Sequence, residues 1–254
     1  MLKEIVLAIQ SYIDAHRFIR KNRLWKWILI PGILYTLLFL ISMYFFGKSA
    51  NNFIDWIQTA LHLEIWLQKI DSGFLSFLFA FAGLVLWLVL MLFYFSLFKY
   101  VWLILCSPVF AYLSEKTEAI LENRDIPFHF KQLLKDIFRG IGIALRNSAW
   151  ESFYFVSIIL LTLVPVIGWA TPVLGIFVEC YYYGFSMLDY SFERRNIGTQ
   201  QSILFIGSHK GLAIGNGMIF YLMHLIPLLG WVLAPAYAVI AATLSIRTAM
   251  PDIK

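Results

Sequence analysis

Charged residues are scarce in this chain of 254 residues. They make up 14% of the sequence, against about 25% in an average soluble domain. Hydrophobic residues make up 61%, well above the roughly 45–50% of soluble domains. So few charges cannot cover a globule of this size in water, and no polar linker divides the chain. The composition therefore excludes a soluble protein and predicts a single membrane domain over residues 1–254.

Cysteines and catalytic motifs are also few. Both cysteines, Cys106 and Cys180, lie in apolar stretches, which predicts buried thiols and neither a disulfide framework nor a metal site. The sequence has no nucleophile elbow, phosphate-binding loop or His-Glu-x-x-His motif. We therefore expect no enzymatic activity, no cofactor and no metal. Since no recognition motif accompanies the basic residues, we expect no nucleic-acid partner either.

Four long segments contain no charged residue at all. They cover residues 27–47, 72–98, 152–178 and 211–246. At about 1.5 Å per helical residue, each of the first two can cross a hydrocarbon layer roughly 30 Å thick. The sequence therefore predicts transmembrane helices at 27–47 and 72–98, the second ending just before Lys99.

The other two charge-free segments are broken near their middle by proline and glycine, which end helices where they cluster. The residues concerned are Pro165, Gly168 and Pro172 in one segment and Pro227, Gly230 and Pro235 in the other. We therefore predict helical hairpins at 150–190 and 211–247. Their first limbs would be about 20 and 24 Å long, which is short for a full crossing. This favours re-entrant hairpins with these residues at the tips, and four short spanning limbs are the alternative.

Three further stretches have apolar residues at helical spacing and charges on the opposite face. They are a basic N-terminal helix at 1–26 and helices at 50–71 and 125–147. Such amphipathic helices either lie in the headgroup layer or pack on the membrane bundle. The predicted fold class is therefore an all-α integral membrane protein with two long transmembrane helices, two re-entrant hairpins and amphipathic interfacial helices.

The distribution of basic residues predicts the orientation. If both hairpins return to the side from which they enter, every Lys and Arg except Lys48 and Lys69 lies on one side. Cytoplasmic segments are rich in Lys and Arg, so we expect both termini in the cytoplasm.

A run of five bases without an acid precedes the first predicted span. The bases are Arg17, Arg20, Lys21, Arg23 and Lys26. One interpretation is an anchor for phospholipid headgroups, since Trp25 and Trp27 also suit the membrane interface. The other is an anion site, because the backbone N–H groups and dipole at a helix start favour anions.

Several motifs together resemble the CysZ-like sulfate permeases, which belong with the etoposide-induced membrane proteins. They are the basic run before Pro31, the stretch Ser107-Pro-Val-Phe-Ala-Tyr-Leu-Ser-Glu-Lys-Thr-Glu118, the two hairpin tips, and Asp189-Tyr-x-Phe-Glu193. The resemblance implies a multi-pass protein of the bacterial inner membrane that assembles as a homo-oligomer. It also implies uptake of sulfate or a similar oxyanion for cysteine synthesis.

The family binds sulfate with a Gly-Leu/Ile-Arg-Arg turn before its first long helix. The resemblance places this motif at Arg23, Leu24, Trp25 and Lys26. Lys26 matches the second basic residue, Trp25 replaces the first, and Arg23 stands where the family has glycine. An arginine at the glycine position restricts the backbone, so we expect a turn that closes less readily on the anion.

Two acids follow Pro108 on one helical face, Glu115 and Glu118. They match acids of the family. We expect them to form ion pairs with Lys116 or Arg124, and proton coupling is the alternative if they are buried.

Three more polar side chains fall within the predicted hairpins. Glu179 follows an apolar segment and should face the bundle interior or a watery cavity. Asp189 is expected to pair with Arg194 or Arg195. His224 precedes a helix break, so its ring should bond to a carbonyl that the break leaves free, or else carry protons. Together with Glu115 and Glu118, these residues are candidates for a polar core or pathway.

Two functions from different classes follow from these observations. The first is an anion permease in which Arg23 and Lys26 attract the anion. The second is a non-transporting membrane scaffold whose basic run and amphipathic helices bind lipid or partner proteins. Both have the same predicted topology, and they differ in whether the protein carries a flux.

Overall fold

A computed structural model describes residues 1–60, 73–124, 130–162, 164, 167–195 and 197–250. All elements within these ranges are helical. They are α1 (Leu2–Asn22), α2 (Trp25–Ala60), α3 (Gly73–Glu122), α4 (Phe130–Thr162), a 3₁₀ turn (Ile167–Ala170), α5 (Thr171–Arg194), α6 (Thr199–Ser208), α7 (Lys210–His224) and α8 (Leu229–Ala249).

Three helical segments are long and apolar enough to cross a membrane: Trp25–Ser49, Ala80–Glu122 and Leu229–Ala249. A fourth is obtained if α6 and α7, which meet at 84°, are counted as one broken span. The predicted fold class, an all-α integral membrane protein, is confirmed. The prediction that the hairpins are re-entrant stays a prediction, and α8 has the length for a full crossing.

The predicted transmembrane helices are parts of longer helices. The segment 27–47 lies within α2, which continues unbroken to Ala60, so the described part of 50–71 is not a separate helix. Residues 61–72 lie outside the described ranges. The second predicted helix does not end before Lys99, because α3 continues through Lys99 to Glu122. A lysine ends a span only where its charge must reach water, and Lys99 is paired inside the protein.

Helices α2 and α3 run antiparallel, and their ring contacts give the depth of each residue. Trp27 lies 4.6 Å from Tyr112, and Phe46 lies 5.6 Å from Trp87, measured between ring centroids. Lys99 falls almost midway between Trp87 and Tyr112 along α3. At about 1.5 Å per residue, it lies about 20 Å from either level. This places Lys99 near mid-depth of the α2–α3 pair.

The first predicted hairpin is present as α4 and α5, which pack against each other. Helix α4 begins at Phe130, so the described part of 125–147 and the first limb of 150–190 form one helix. At the tip, the Gly168 N–H donates to the Val164 carbonyl at 2.8 Å. A side chain at Gly168 would overlap the carbonyl oxygen of Thr162, so the tip needs glycine.

The prolines of this hairpin have different positions. Pro172 lies in the first turn of α5, where a missing N–H costs no helical hydrogen bond. Pro165 lies outside the described residues.

The second predicted hairpin is α7 and α8, with Pro227 in the turn between them. Two bonds close the turn: Gly230 N–H donates to the Ile226 carbonyl at 2.9 Å, and the Trp231 indole N–H donates to the His224 carbonyl at 3.0 Å. Pro235 is buried within α8, and the helix continues past it.

Both tips expose apolar side chains, including Ile167, Trp169, Leu225 and Leu229. Several backbone groups of the tips already have partners within the hairpin. Lipid offers no hydrogen bonds to backbone groups, so internal pairing of this kind is what an apolar surrounding requires. The tips therefore suit contact with hydrocarbon or with another apolar protein surface.

Helix α1 packs on the bundle and not only on a headgroup layer. It contacts α7 and α8, and its Tyr12 hydroxyl donates to the carbonyl of Asn216 at 2.9 Å. A side chain at Gly211 or Gly215 would collide with α1. The small residues of α7 thus allow the close approach, as in other membrane helix pairs.

Candidate functional site

Three charged side chains from three helices meet in the bundle interior. Lys99 of α3, Glu151 of α4 and Glu179 of α5 are at most 6% exposed. The Lys99 Nζ lies 2.6 Å from Glu151 Oε1 and 2.8 Å from Glu179 Oε2. The ammonium therefore bridges two carboxylates, one from each limb of the first hairpin, near mid-depth.

Two tyrosines complete this arrangement. The Tyr100 hydroxyl donates to Glu151 Oε2, and the Tyr221 hydroxyl of α7 donates to Glu179 Oε2 at 2.5 Å. The second carboxylate oxygen of Glu179, Oε1, is buried and has no hydrogen-bond partner among the described residues. We refer to Lys99, Tyr100, Glu151, Glu179 and Tyr221 as the Lys99 cluster.

The charge of the Lys99 cluster explains why its members depend on one another. With all three groups ionised, two carboxylates and one ammonium carry a formal net charge of −1. Removing one partner of a buried ion pair typically costs about 3–5 kcal/mol, because it leaves a charge without compensation. The cluster therefore fastens α4, α5 and α7 to α3, and ionisable groups at such depth usually mark a functional path.

Sequence reasoning identified only Glu179 of this cluster. Its predicted position facing the bundle interior agrees with the structure, whereas Lys99 and Glu151 were missed. Both lie at the borders of charge-free segments, where a charge is typical of a helix that leaves the membrane. A signal was available for Lys99, because the apolar stretch 100–106 follows it directly.

Glu118, the second acid after Pro108, has a partner other than the predicted ones. Glu118 pairs with Arg195 at 2.8 Å, and both side chains are buried. Arg124 pairs with Glu122 instead. Residues six apart on a helix do not share a face, so Glu118 and Arg124 could not meet. The predicted partners of Glu118 are therefore wrong.

Glu115 is half-buried on α3. It lies about 24 Å along the helix from Lys99, at 1.5 Å per residue. It is therefore not part of the Lys99 cluster.

Asp189 forms a bidentate ion pair with Arg139 of α4. The guanidinium Nη2 and Nε lie 2.9 and 3.2 Å from the two carboxylate oxygens. The Ser202 hydroxyl donates to Asp189 at 2.7 Å, and Arg139 also donates to the Ile197 carbonyl at 2.6 Å. Of the two predicted partners, Arg195 pairs with an acid of α3 instead, and the side chain of Arg194 lies outside what the structure describes. The Arg139–Asp189 pair joins α4 to α5 and α6.

His224 lies at the second helix break, close to α2. Its Nε2 is 3.2 Å from the Tyr35 hydroxyl, and its Nδ1 is buried without a hydrogen-bond partner among the described residues. The prediction that the ring bonds to a carbonyl left free by the helix break is wrong. The carbonyl of His224 itself accepts the Trp231 indole, so this indole takes the place that was predicted for the imidazole.

The predicted anion motif forms the turn between α1 and α2. Arg23 adopts a left-handed conformation with φ 53° and ψ 41°, and the following Leu24 is buried. Trp25 and Lys26 are exposed in the first turn of α2. An arginine thus takes the conformation that glycine favours, at a typical cost of about 1–2 kcal/mol. The turn between the two helices therefore forms without glycine, and how readily it closes on an anion stays a prediction.

A lysine of α3 lies beside this turn. The Lys116 Nζ lies 4.6 Å from the ring centroid of Trp27, a cation–π contact that joins α3 to the start of α2. Sulfate binding at the four motif positions stays a prediction.

A bundle with several helices of membrane length and with paired charges at mid-depth defines a multi-pass, all-helical integral membrane protein. Residues 11–235 match the family described as Sulfate transporter CysZ/Etoposide-induced protein 2.4. The chain belongs to this family, which confirms the resemblance seen in the sequence. The matching residues include the α1–α2 turn, the Lys99 cluster and the turn of the second hairpin.

Individual relatives agree with the family match. The sulfate transporter CysZ of Pseudomonas paraeruginosa is 28% identical over 233 residues, which cover 91% of this chain and 90% of that protein. The proteins of the same name from Pseudomonas aeruginosa and Pseudomonas syringae pv. tomato are 27% and 26% identical over 233 and 227 residues. They cover 91% and 86% of this chain, and it covers 90% and 87% of them. All three are named as transporters.

Proposed function

We propose that this protein is a permease that carries sulfate, or a similar oxyanion, across the bacterial inner membrane for cysteine synthesis. One observation carries the proposal: relatives named as sulfate transporters align with about nine-tenths of the chain.

The α1–α2 turn is the proposed point of entry for the anion. Arg23 and Lys26 are exposed there, next to backbone N–H groups in the first turn of α2, which have no partner within the helix. Exposed charges bind weakly because water screens them. Weak binding suits a permease, which must also release its substrate.

The Lys99 cluster is the proposed polar core of the pathway. It supplies an ammonium and two phenolic hydroxyls near mid-depth. Two further buried pairs among the described residues, Glu118–Arg195 and Asp189–Arg139, are proposed to hold helices in place. Glu115 is proposed to lie along the pathway nearer the α1–α2 turn.

The surface supports the proposed surroundings. Large apolar side chains such as Phe138, Leu145, Phe153 and Leu160 are more than 60% exposed on α4. We assign this surface to lipid and to other copies of the chain in a homo-oligomer. The termini are assigned to the cytoplasm, because the basic residues of α1 lie beside the start of the first span.

Uptake of radiolabelled sulfate into liposomes tests the proposal. Protein-containing liposomes should take up sulfate down a gradient, and the Arg23→Ala/Lys26→Ala variant should reduce uptake at least fivefold. Lys48→Ala is the matched control, because Lys48 is an exposed lysine near the other end of the predicted first span. Equal uptake by liposomes with and without protein would contradict the permease function. It would leave the non-transporting scaffold as the better explanation.

A further inference from the structure

Six buried side-chain polar atoms have no hydrogen-bond partner among the described residues. They are Ser42 Oγ, Trp102 Nε1, Glu179 Oε1, Tyr183 OH, Asn216 Oδ1 and His224 Nδ1. Native proteins leave few buried polar groups unpaired, because each loses its hydrogen bonds to water on folding. A concentration of such atoms in one region therefore points to something that binds them.

Four of these residues are linked by direct ring or hydrogen-bond neighbours. The Tyr35 ring lies 4.5 Å from the Trp102 ring and 5.3 Å from the His224 ring. The Tyr183 ring lies 5.9 Å from the ring of Tyr221, whose hydroxyl donates to Glu179. The Phe220 ring joins the two groups, since its centroid lies 6.4 Å from that of Tyr35 and 3.7 Å from that of Tyr183. The unpaired atoms of these four residues therefore belong to one region between α2, α3, α5 and α7.

The helices give this region a direction. Asn216 and His224 are eight residues apart on α7, which is about 12 Å at the usual helical rise. His224 contacts Tyr35 of α2, and Ser42 lies about 10 Å further along that helix. Measured along α7 and then along α2, these residues follow a line of roughly 20 Å, and Glu179 connects the line to the Lys99 cluster.

The chemistry of the line fits water. The Trp102 N–H can only donate a hydrogen bond, and the Tyr183 hydroxyl has a proton to donate. The amide oxygen Oδ1 of Asn216 can only accept a hydrogen bond, and Glu179 Oε1 can only accept one when its carboxyl is ionised. No protein group is placed to serve these atoms within the described residues, whereas a water molecule both donates and accepts.

We infer that a line of bound water runs through the middle of each protomer from Asn216 to Ser42, and that it forms the hydrated centre of the permeation route. The second half of this inference rests on the proposed function. An oxyanion needs hydrogen-bond donors along its route, and Trp102 and Tyr183 are neutral donors with no competing acceptor. The carboxylates of Glu151 and Glu179 accept hydrogen bonds from Lys99 and from the hydroxyls of Tyr100 and Tyr221.

X-ray radiolytic labelling of the wild-type protein in lipid nanodiscs tests the water line. Radiolysis turns bound water into hydroxyl radicals, which modify the side chains next to it. After normalisation for intrinsic reactivity, Trp102 and Tyr183 should be modified at least ten times faster than Phe155 and Phe192, which are fully buried aromatic side chains of the same bundle. Equal, slow modification of all four would overturn the inference.

Sulfate flux through the Tyr183→Phe variant tests the route. This change removes one hydroxyl and keeps the ring, and it should lower flux at least threefold. Tyr154→Phe is the matched control, because Tyr154 is exposed on α4. Unchanged flux in Tyr183→Phe would overturn the assignment of the line to the route.

The two assays separate this inference from the proposed function. Rapid labelling without sulfate flux in the wild-type protein would refute the permease and support the water line. Flux without labelling would refute the water line and support the permease.

Discussion

Replacing Lys99 by methionine tests whether the Lys99 cluster holds the bundle together. Methionine keeps the length of the side chain and removes the ammonium. Lys99 donates two charge-assisted hydrogen bonds, to Glu151 and Glu179, each worth about 1.5–3 kcal/mol. The two carboxylates would then remain buried without a counter-charge. We expect a loss of about 3–5 kcal/mol in the free energy of unfolding, as for other buried ion pairs that lose one partner.

Thermal unfolding of the purified protein in detergent, followed by tryptophan fluorescence, measures this loss. For a chain of this size, 1 kcal/mol changes Tm by about 2–4 °C, so Lys99→Met should lower Tm by about 6–20 °C. The triple variant Lys99→Met/Glu151→Gln/Glu179→Gln removes every charge of the cluster and should recover more than half of the loss. Lys48→Met, on an exposed side chain, should change Tm by less than about 2 °C.

Two results would refute this reasoning. If Lys99→Met is as stable as the wild type, the ion pairs do not hold the helices. If the triple variant is no more stable than Lys99→Met, the loss does not come from unpaired carboxylates.

Three further predictions concern packing, a second ion pair and the basic turn. Gly184→Ala should destabilise by about 1–3 kcal/mol, because the added methyl would overlap a carbonyl of α7; Gly83→Ala, with no neighbour within 4 Å, should be neutral or stabilising in the same unfolding assay. Arg139→Ala should cost about 3–5 kcal/mol by leaving a buried carboxylate unpaired, whereas the exposed Lys135→Ala should change stability little. Arg23→Gly should raise stability by up to about 1–2 kcal/mol, because it relieves the cost of the left-handed conformation, and Arg23→Val should lower stability, because a β-branched residue disfavours that conformation further; equal losses would contradict a left-handed turn.

The charge pattern of the sequence was sufficient for the fold class but not for the ends of the helices. The charge-free segment 27–47 lies within the span Trp25–Ser49, and most of 72–98 lies within Ala80–Glu122. Gly168 and Pro227 lie where helices break. The same rule failed at Lys99. A charge at the border of an apolar segment is equally consistent with a helix that leaves the membrane and with a paired charge inside it. Only the partner, 52 residues away at Glu151, decides between them.

The candidate site was predicted less completely, because its contacts join residues that are far apart in the sequence. Glu179 was identified from its apolar surroundings alone. Asp189 and Glu118 are each predicted to form an ion pair. The predicted partners lie nearby in the sequence, where helix geometry does not allow the two side chains to meet. The left-handed Arg23 could not be predicted either, since the sequence favours glycine for that conformation and gives no sign that an arginine will adopt it.

The distance along the chain between Lys99 and its partners also matters for synthesis. Lys99 leaves the ribosome 52 residues before Glu151 and 80 before Glu179. Helix α3 ends at Glu122, so at about 5–20 residues per second it is complete roughly 1.5–6 s before Glu151, the first carboxylate of the cluster, is added. A lone lysine in the centre of a span costs about 2.5–3.5 kcal/mol on insertion, so the apolar remainder of α3 must hold this helix in the membrane until the hairpin arrives. The bundle is therefore assembled in a fixed order, with the first hairpin closing on a helix that is already inserted.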